Sequence, residues 1–210
     1  MKRKQTSFVG ERPVFTGSPH IVEGGFNLDV ANQSYNVGDT IPAGTLAIYD
    51  EQTRLVKLIK TAKVSAIKAD DAKVVTLVSN GYATPIFAVG DKVLKTISGA
   101  IADAPSITKI ENTTSGYVIT LSAAITGLAV GDTIQQVIAS GTNAASVGTA
   151  NALTVTDTEV KEDETAIDVT DDTMQYALLA RRVLPIPSDQ IDSNGSYLKA
   201  NVHIRLSQSY

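Results

Sequence analysis

The stretch YNVGDTIPAGTLAIYDEQTRLVKLIK, residues 35–60, decides the fold class. It holds a turn at Val37-Gly38-Asp39, a second at Pro42-Ala43-Gly44, an apolar strand over 45–49, a polar turn over 50–53 and a strand over 54–60. Asp39 can bond its own backbone and Pro42 presets φ, so both suit turns. Gly38 and Gly44 reach positive φ without a Cβ clash. Strand, tight turn, strand is the grammar of an antiparallel meander, and it predicts an all-β chain.

The Val-Gly-Asp corner recurs. Val37-Gly38-Asp39 leads into Thr40-Ile41, Val89-Gly90-Asp91 into Lys92-Val93, and Val130-Gly131-Asp132 into Thr133-Ile134. An aromatic residue or Leu stands two positions before each Val: Tyr35, Phe87 and Leu128. The unit reads as an apolar anchor, a Gly-Asp turn and a new strand, as small β-barrels start strands from tight corners. Unequal spacing makes it recurring turn chemistry rather than a solenoid repeat.

Further strands follow from composition and alternation. Residues 62–80 predict two strands about the turn Lys68-Ala69-Asp70-Asp71, although Ala and Lys also suit a helix. Residues 106–119 predict strand, turn, strand. The segment 62–140 thus resembles a self-contained small barrel, followed by a small, polar linker or loop over 141–152. Residues 173–184 are compatible with a helix or a buried strand, and the flanking Val183, Leu184 and Pro185 favour the strand. Asn194-Gly195 is a turn signal. Residues 197–206 alternate Leu198, Ala200, Val202, Ile204 and Leu206 against Lys199, Asn201, His203 and Arg205, predicting one well-defined strand.

Composition sets outer bounds. The 210 residues are 43% hydrophobic and 19% charged, enough apolar material for a core. Val, Ile and Thr favour strands. Aromatics make up 5% and Trp is absent, which weakens a sugar-platform reading. Without cysteine there is no disulfide, thiol or cysteine–zinc chemistry. No apolar run approaches the roughly 20 residues of a membrane helix, and the basic start MKRKQTSFVGERPVF lacks a signal-peptide apolar region, so manufacture and use without translocation is expected.

Net charge is −4 but uneven. Lys2, Arg3 and Lys4 form a basic tip. Asp157, Glu159, Glu162, Asp163, Glu164, Asp168, Asp171 and Asp172 form an acidic tract broken only by Lys161. The tract reads as a solvated loop; a calcium site and a contact with a basic partner are alternatives, the first lacking ordered ligand spacing. Neither cluster carries interleaved aromatics or a groove-entering helix, so no nucleic-acid partner is expected, and no membrane partner either. His20 and His203 have no carboxylate neighbour in sequence. No nucleophile elbow, Walker loop or metalloprotease motif occurs, and a non-enzyme without catalytic residues, cofactor or metal is expected.

Residues 1–34 are rich in Gly, Pro, Ser and Asn, yet carry spaced apolar residues. Gly and Pro block long regular elements, while so many apolar groups exceed what a disordered tail carries. An extended arm is predicted, wrapping its own domain, docking on a neighbouring subunit, or both.

Three segments resemble tailed-phage capsid accessory proteins of the head-decoration, head-fibre or auxiliary kind. The first is the arm RKQTSFVGERPVFTGSPHIVEGGFNLDV. The second is Gly38-Asp39-Thr40-Ile41-Pro42-Ala43-Gly44-Thr45-Leu46 with its following strand. The third is Ala177-Leu178-Leu179-Ala180 leading through Val183-Leu184, Asp189, Asp192 and Asn194-Gly195 to a final apolar strand. The likeness covers residues 1–61 and 173–210; the middle segment is what a minimal decoration protein would lack.

The resemblance implies an arm (1–34), a split β-barrel-like base domain (35–61 plus 153–210) that binds the capsid, and an inserted small β-barrel domain (62–152). It implies the major capsid protein as partner, a homo-oligomer such as a trimer, and residence on the virion surface after assembly in the host cytoplasm. Phe8, Val14, Phe15, Ile21 and Phe26 are the candidate capsid contacts. On this reading, deleting residues 1–30 leaves a folded protein that no longer decorates capsids. The alternative is a non-enzymatic β-rich module that binds glycans or a host surface.

Overall fold

A computed structural model describes residues 13–22, 25–80, 82–113, 116–171 and 176–208. The chain is all-β. Strands β1 (Phe26–Leu28), β2 (Thr40–Ile41), β3 (Leu46–Asp50) and β4 (Leu55–Leu58) come first. Then follow β5 (Thr61–Ile67), β6 (Val74–Leu77), β7 (Lys92–Leu94), β8 (Ile107–Thr113), β9 (Gly116–Leu121), β10 (Thr133–Ser140) and β11 (Asn143–Ser146). β12 (Ala152–Leu153), β13 (Thr158–Glu159), β14 (Ala166–Ile167), β15 (Tyr176–Leu179) and β16 (Ile204–Ser207) end the chain.

The base is a sheet in the order β12-β3-β4-β1-β14. Its two edges meet. Thr154 bridges Val169, Val155 N–H donates to Asp168 C=O and Thr170 N–H donates to Leu153 C=O, which closes a ring and removes free edges. Alternation along the strands sorts two cores. Ala47, Ala152, Val56 and Leu58 face inward with Phe26, Leu28, Ile41, Val160 and Ile167. Leu46, Ile59 and Leu153 belong to a second cluster with Val14, Phe15, Leu178, Leu198, Ile204 and Leu206.

Between β4 and β12 the chain makes a second ring. β10 pairs with β5, β5 with β6, β6 with β9 and β9 with β8. β7 pairs with β10 and closes on the start of β8 through the Lys92–Ser106 bridge and the bond from Val93 N–H to Pro105 C=O. Its interior holds Val64, Val75, Leu77, Phe87, Val93, Ile107, Tyr117, Ile119, Leu121 and Ile134. The fold is therefore a base barrel assembled from both sides of the chain, with a second barrel spliced into one of its connections. Ala83 and Ile86, though numbered within the insertion, pack in the base core.

The three Gly-Asp corners share one geometry. Gly38, Gly90 and Gly131 have φ of 87°, 97° and 93°. Each Gly N–H donates to the carbonyl of a crossing residue, Val160, Ile107 or Val64, and that residue's N–H returns a bond to the following Asp carbonyl. Asp91 and Asp132 also accept from the N–H three residues back, while Asp39 accepts from the Asn36 side chain. β2, β7 and β10 start from these corners, as the sequence predicts. The corner valines point outward, Val37, Val89 and Val130 being 64%, 56% and 65% exposed.

Several expectations are corrected. Of the arm readings, wrapping its own domain is the one that residues 14–22 follow, while Phe26–Leu28, expected as part of the arm, is a strand. Thr16 N–H donates to Ala177 C=O, Leu179 N–H to Val14 C=O and Val22 N–H to Val169 C=O, so residues 14–22 lie along the base, and Phe26–Leu28 is a barrel strand. The segment 141–152 is no loose linker: β11 pairs with β10, and Ala150 and Ala152 are buried. The strand expected over 197–206 is a tight hairpin. Tyr197 bridges Arg205, Leu198 N–H donates to Ile204 C=O, and the chain reverses between them. Only Ile204–Ser207 is strand, paired in parallel with β15, and Val202 is 66% exposed. The strand reading of 173–184 holds at Tyr176–Leu179.

Candidate functional site

The sequence nominated five apolar arm residues, and the structure separates them. Phe8 lies outside the described residues. Val14, Phe15 and Phe26 are buried in the chain's own cores, Phe26 against Tyr49 with ring centroids 4.9 Å apart and beneath the Arg54 guanidinium at 4.2 Å. They are core groups rather than surface contacts, because residues 14–16 bond their backbone along β15 and Phe26 lies in β1 between β4 and β14, which turns these side chains inward. Ile21 remains outside, 44% exposed, beside its bridge partner Thr170.

The acidic tract is threaded through the base barrel. Val160, Thr165, Ile167, Val169 and Thr170 are buried between exposed acids, so the tract is a barrel wall with a charged outer face. Among the described residues, no group of three or more His, Asp or Glu is placed to hold a metal ion. His20 meets a carboxylate that sequence adjacency hid: its Nδ1 lies 3.9 Å from Asp171.

The seam between the barrels carries the most chemistry. Lys60, wholly buried, sits 2.8 Å from Asp91, donates to Ser34 C=O and lies 4.4 Å from the Tyr35 ring centroid. Asp91 also accepts from Ala88 N–H at 2.8 Å and from Gln136 Nε2 at 2.9 Å. Gln136 Oε1 accepts from Gln33 Nε2 at 2.8 Å; Gln33 Oε1 accepts from Tyr35 OH at 2.6 Å and from Leu58 N–H at 2.9 Å. Burial pushes the Tyr35 hydroxyl far above its ordinary range and lowers the Lys60 ammonium, an effect that the Asp91 charge opposes. Such a network satisfies each buried polar group with another, which is what makes it tolerable away from water.

Two clefts open on this seam. One, of about 390 Å³, is lined by Lys95, Thr133, Gln135, Pro187, Ser188 and Asp189 among others. Gln135 Nε2 donates to Asp189 at 3.2 Å, which fixes the amide's orientation, and its buried Oε1 has no hydrogen-bond partner among the described residues. The other, of about 450 Å³, lies between Lys63, Asn80, Arg181, Leu184 and Gln208.

Sequence reading missed Gln33, Lys60, Asp91, Gln135 and Gln136. One signal was present: Lys60 shares the parity of Val56 and Leu58, so alternation alone points it inward. Asp91 looked like its counterparts at the other corners, and only its neighbours across the seam set it apart.

Compared with known proteins, the chain matches no family model, no curated protein and no solved structure.

Proposed function

We propose that the protein is a virion structural protein that binds the outside of a phage capsid, as a decoration, auxiliary or head-fibre protein. The observation that carries this reading is the splice: segments from both sides of the chain build one barrel, and a second closed barrel leaves and re-enters between β4 and β12. The base is then the gripping part and the inserted barrel the projecting part. The three segments that resemble phage capsid accessory proteins fall in and beside the base. The major capsid protein is the partner, and repeated copies on a lattice, or a homotrimer, multiply a weak contact by avidity.

Because residues 14–22 and 26–28 are committed to the base, the gripping groups on this reading are the basic stretch before Pro13 and the outer base surface, where Ile21 and Val202 are exposed. Co-sedimentation with capsids stripped of accessory proteins tests the reading. The full chain is expected to bind at a fixed copy number per capsid, and a chain lacking residues 1–12 to bind weakly. Failure of the full chain to bind removes the capsid reading; undiminished binding by the truncated chain removes only the role given to the basic stretch.

One observation favours a second reading, a module that binds glycans: the polar seam cleft, with hydroxyls at Thr133 and Ser188 and a buried acceptor at Gln135 that has no partner among the described residues. A glycan array gives the decision. Hits abolished by Ser188→Trp support it, and an empty array removes it.

A further inference from the structure

We propose that Lys60 and Asp91 join spontaneously into an intramolecular amide, a covalent staple between the start of the inserted barrel and its first corner. The proposal is independent of what the protein binds.

The geometry is that of a reactant pair already in contact. Nζ of Lys60 lies 2.8 Å from Oδ2 of Asp91, with the two residues 0% and 5% exposed. The Tyr35 ring covers the amine at 4.4 Å, and Phe87 and Tyr117 are buried next to this corner, with Tyr117 OH bonded to Phe87 C=O. Holding two reacting groups together in a fixed, dry site replaces a bimolecular encounter by a near-unimolecular step. A buried ion pair is expensive because both charges have lost their water, and a neutral amide in the same space removes both charges. Desolvation favours the uncharged amine, the nucleophilic form.

The step balances within the pair. A proton passes from the Lys60 ammonium to Oδ2 along their hydrogen bond, leaving an amine beside a carboxylic acid. The amine lone pair attacks Cγ, and Oδ1 takes up the negative charge, stabilised by Gln136 Nε2 at 2.9 Å. Ala88 N–H, 2.8 Å from Oδ2, holds the departing oxygen. The Nζ–Cγ bond forms, the Cγ–Oδ2 bond breaks, and Oδ2 leaves as water with the proton it received and a second from Nζ. Nothing is oxidised or reduced, and no co-reactant enters. Asp132 occupies the same position in its corner, but its Lys95 partner is 38% exposed; Asp39, whose charge also acts on Lys60, accepts its bond from Asn36 Nδ2 instead.

The experiment is intact-mass measurement on the full-length protein, as purified and after incubation at neutral pH, on samples shown to melt cooperatively. The expected mass is that of the sequence less one water. Protease digestion with tandem mass spectrometry should yield a branched peptide joining Lys60 to Asp91. Lys60→Arg keeps the charge but should restore the full mass. A folded wild-type protein that retains the full sequence mass after incubation overturns the proposal, as does a water loss mapped to any other residues. The wild-type mass decides alone, so the outcome does not depend on the variant folding.

Discussion

Gln33 donates through Nε2 to Gln136 Oε1 at 2.8 Å, across 103 residues of sequence and across the seam between the barrels. The same side chain makes two bonds to the Leu58 backbone, its Nε2 to the carbonyl and its Oε1 from the N–H. It therefore clamps the base to β10 while capping the end of β4. Gln33→Leu leaves Gln136 Oε1, both Leu58 backbone groups and the Tyr35 hydroxyl without this partner. An orphaned buried polar group costs roughly 1–3 kcal/mol, so a loss at the upper end of that range is expected in urea unfolding. Combined with Gln136→Leu, the two losses should be strongly non-additive in a double-mutant cycle; simple additivity would show that the pair does not act as a clamp.

Gly44 differs from the corner glycines. All four sit at positive φ, but a Cβ on Gly38, Gly90 or Gly131 would meet open space, whereas one on Gly44 would overlap Val183 and crowd Leu178. Alanine at an open corner should cost about 1–2 kcal/mol for the left-handed backbone alone. Gly44→Ala adds overpacking, typically about 1–3 kcal/mol more. Thermal melts of the four alanine variants should rank Gly44→Ala well below the rest, and Val183→Ala should partly rescue it. Equal melting points for all four would contradict the packing described.

Truncation distinguishes the arm from the base. A chain lacking residues 1–12 keeps β1 and the core residues Val14, Phe15 and Phe26, so its cooperative transition should survive. Removing residues 1–30 strips β1 from between β4 and β14 and takes Val14, Phe15 and Phe26 from the cores. Each such side chain is worth about 1.5–3 kcal/mol, against a total stability of about 5–15 kcal/mol. Loss of the cooperative transition is expected, contrary to the folded product that the sequence predicts for this deletion. A cooperative melt from the longer truncation would show that the arm is dispensable to the base.

Acid sensitivity should concentrate at three turns, one of them where the N–H groups of Gln52 and Thr53 hold the Asp50 carboxyl low. The Lys95 ammonium, then Ala129 N–H, holds the Asp132 carboxyl below its ordinary value of 3.8. The N–H groups of Tyr197 and Ser196 do the same for Asp192. A depressed carboxyl binds its proton less readily in the folded chain than in the unfolded one. The stabilisation is thus complete above the unfolded value and disappears as pH falls through the folded one. Urea midpoints from about pH 5 to about pH 2 should fall, and Asp192→Asn should flatten that fall by lowering the midpoint at neutral pH while converging on the wild type in acid. A variant whose acid limb parallels the wild type would remove Asp192 from this account.

What the sequence determined was local. Alternation at 54–60, the Gly-Asp corners and the Pro-Ala-Gly turn depend on residues within a few positions of one another, and backbone sterics act at that range. They suffice for an all-β chain and for where β2, β3, β4, β7 and β10 begin. The same alternation misled at 197–206, because it reports which side a residue faces and not what its backbone pairs with. Leu198, Ile204 and Leu206 are buried as the parity requires, but the chain between them doubles back and exposes Val202. Only the tertiary structure decided that Thr154 meets Val169 to close the base, that Val14 and Phe15 belong to its core, and that Lys60 finds Asp91 and Gln33 finds Gln136 at the seam. Burial and charge pairing are properties of what surrounds a residue, and in a barrel that environment is supplied by strands far away along the chain.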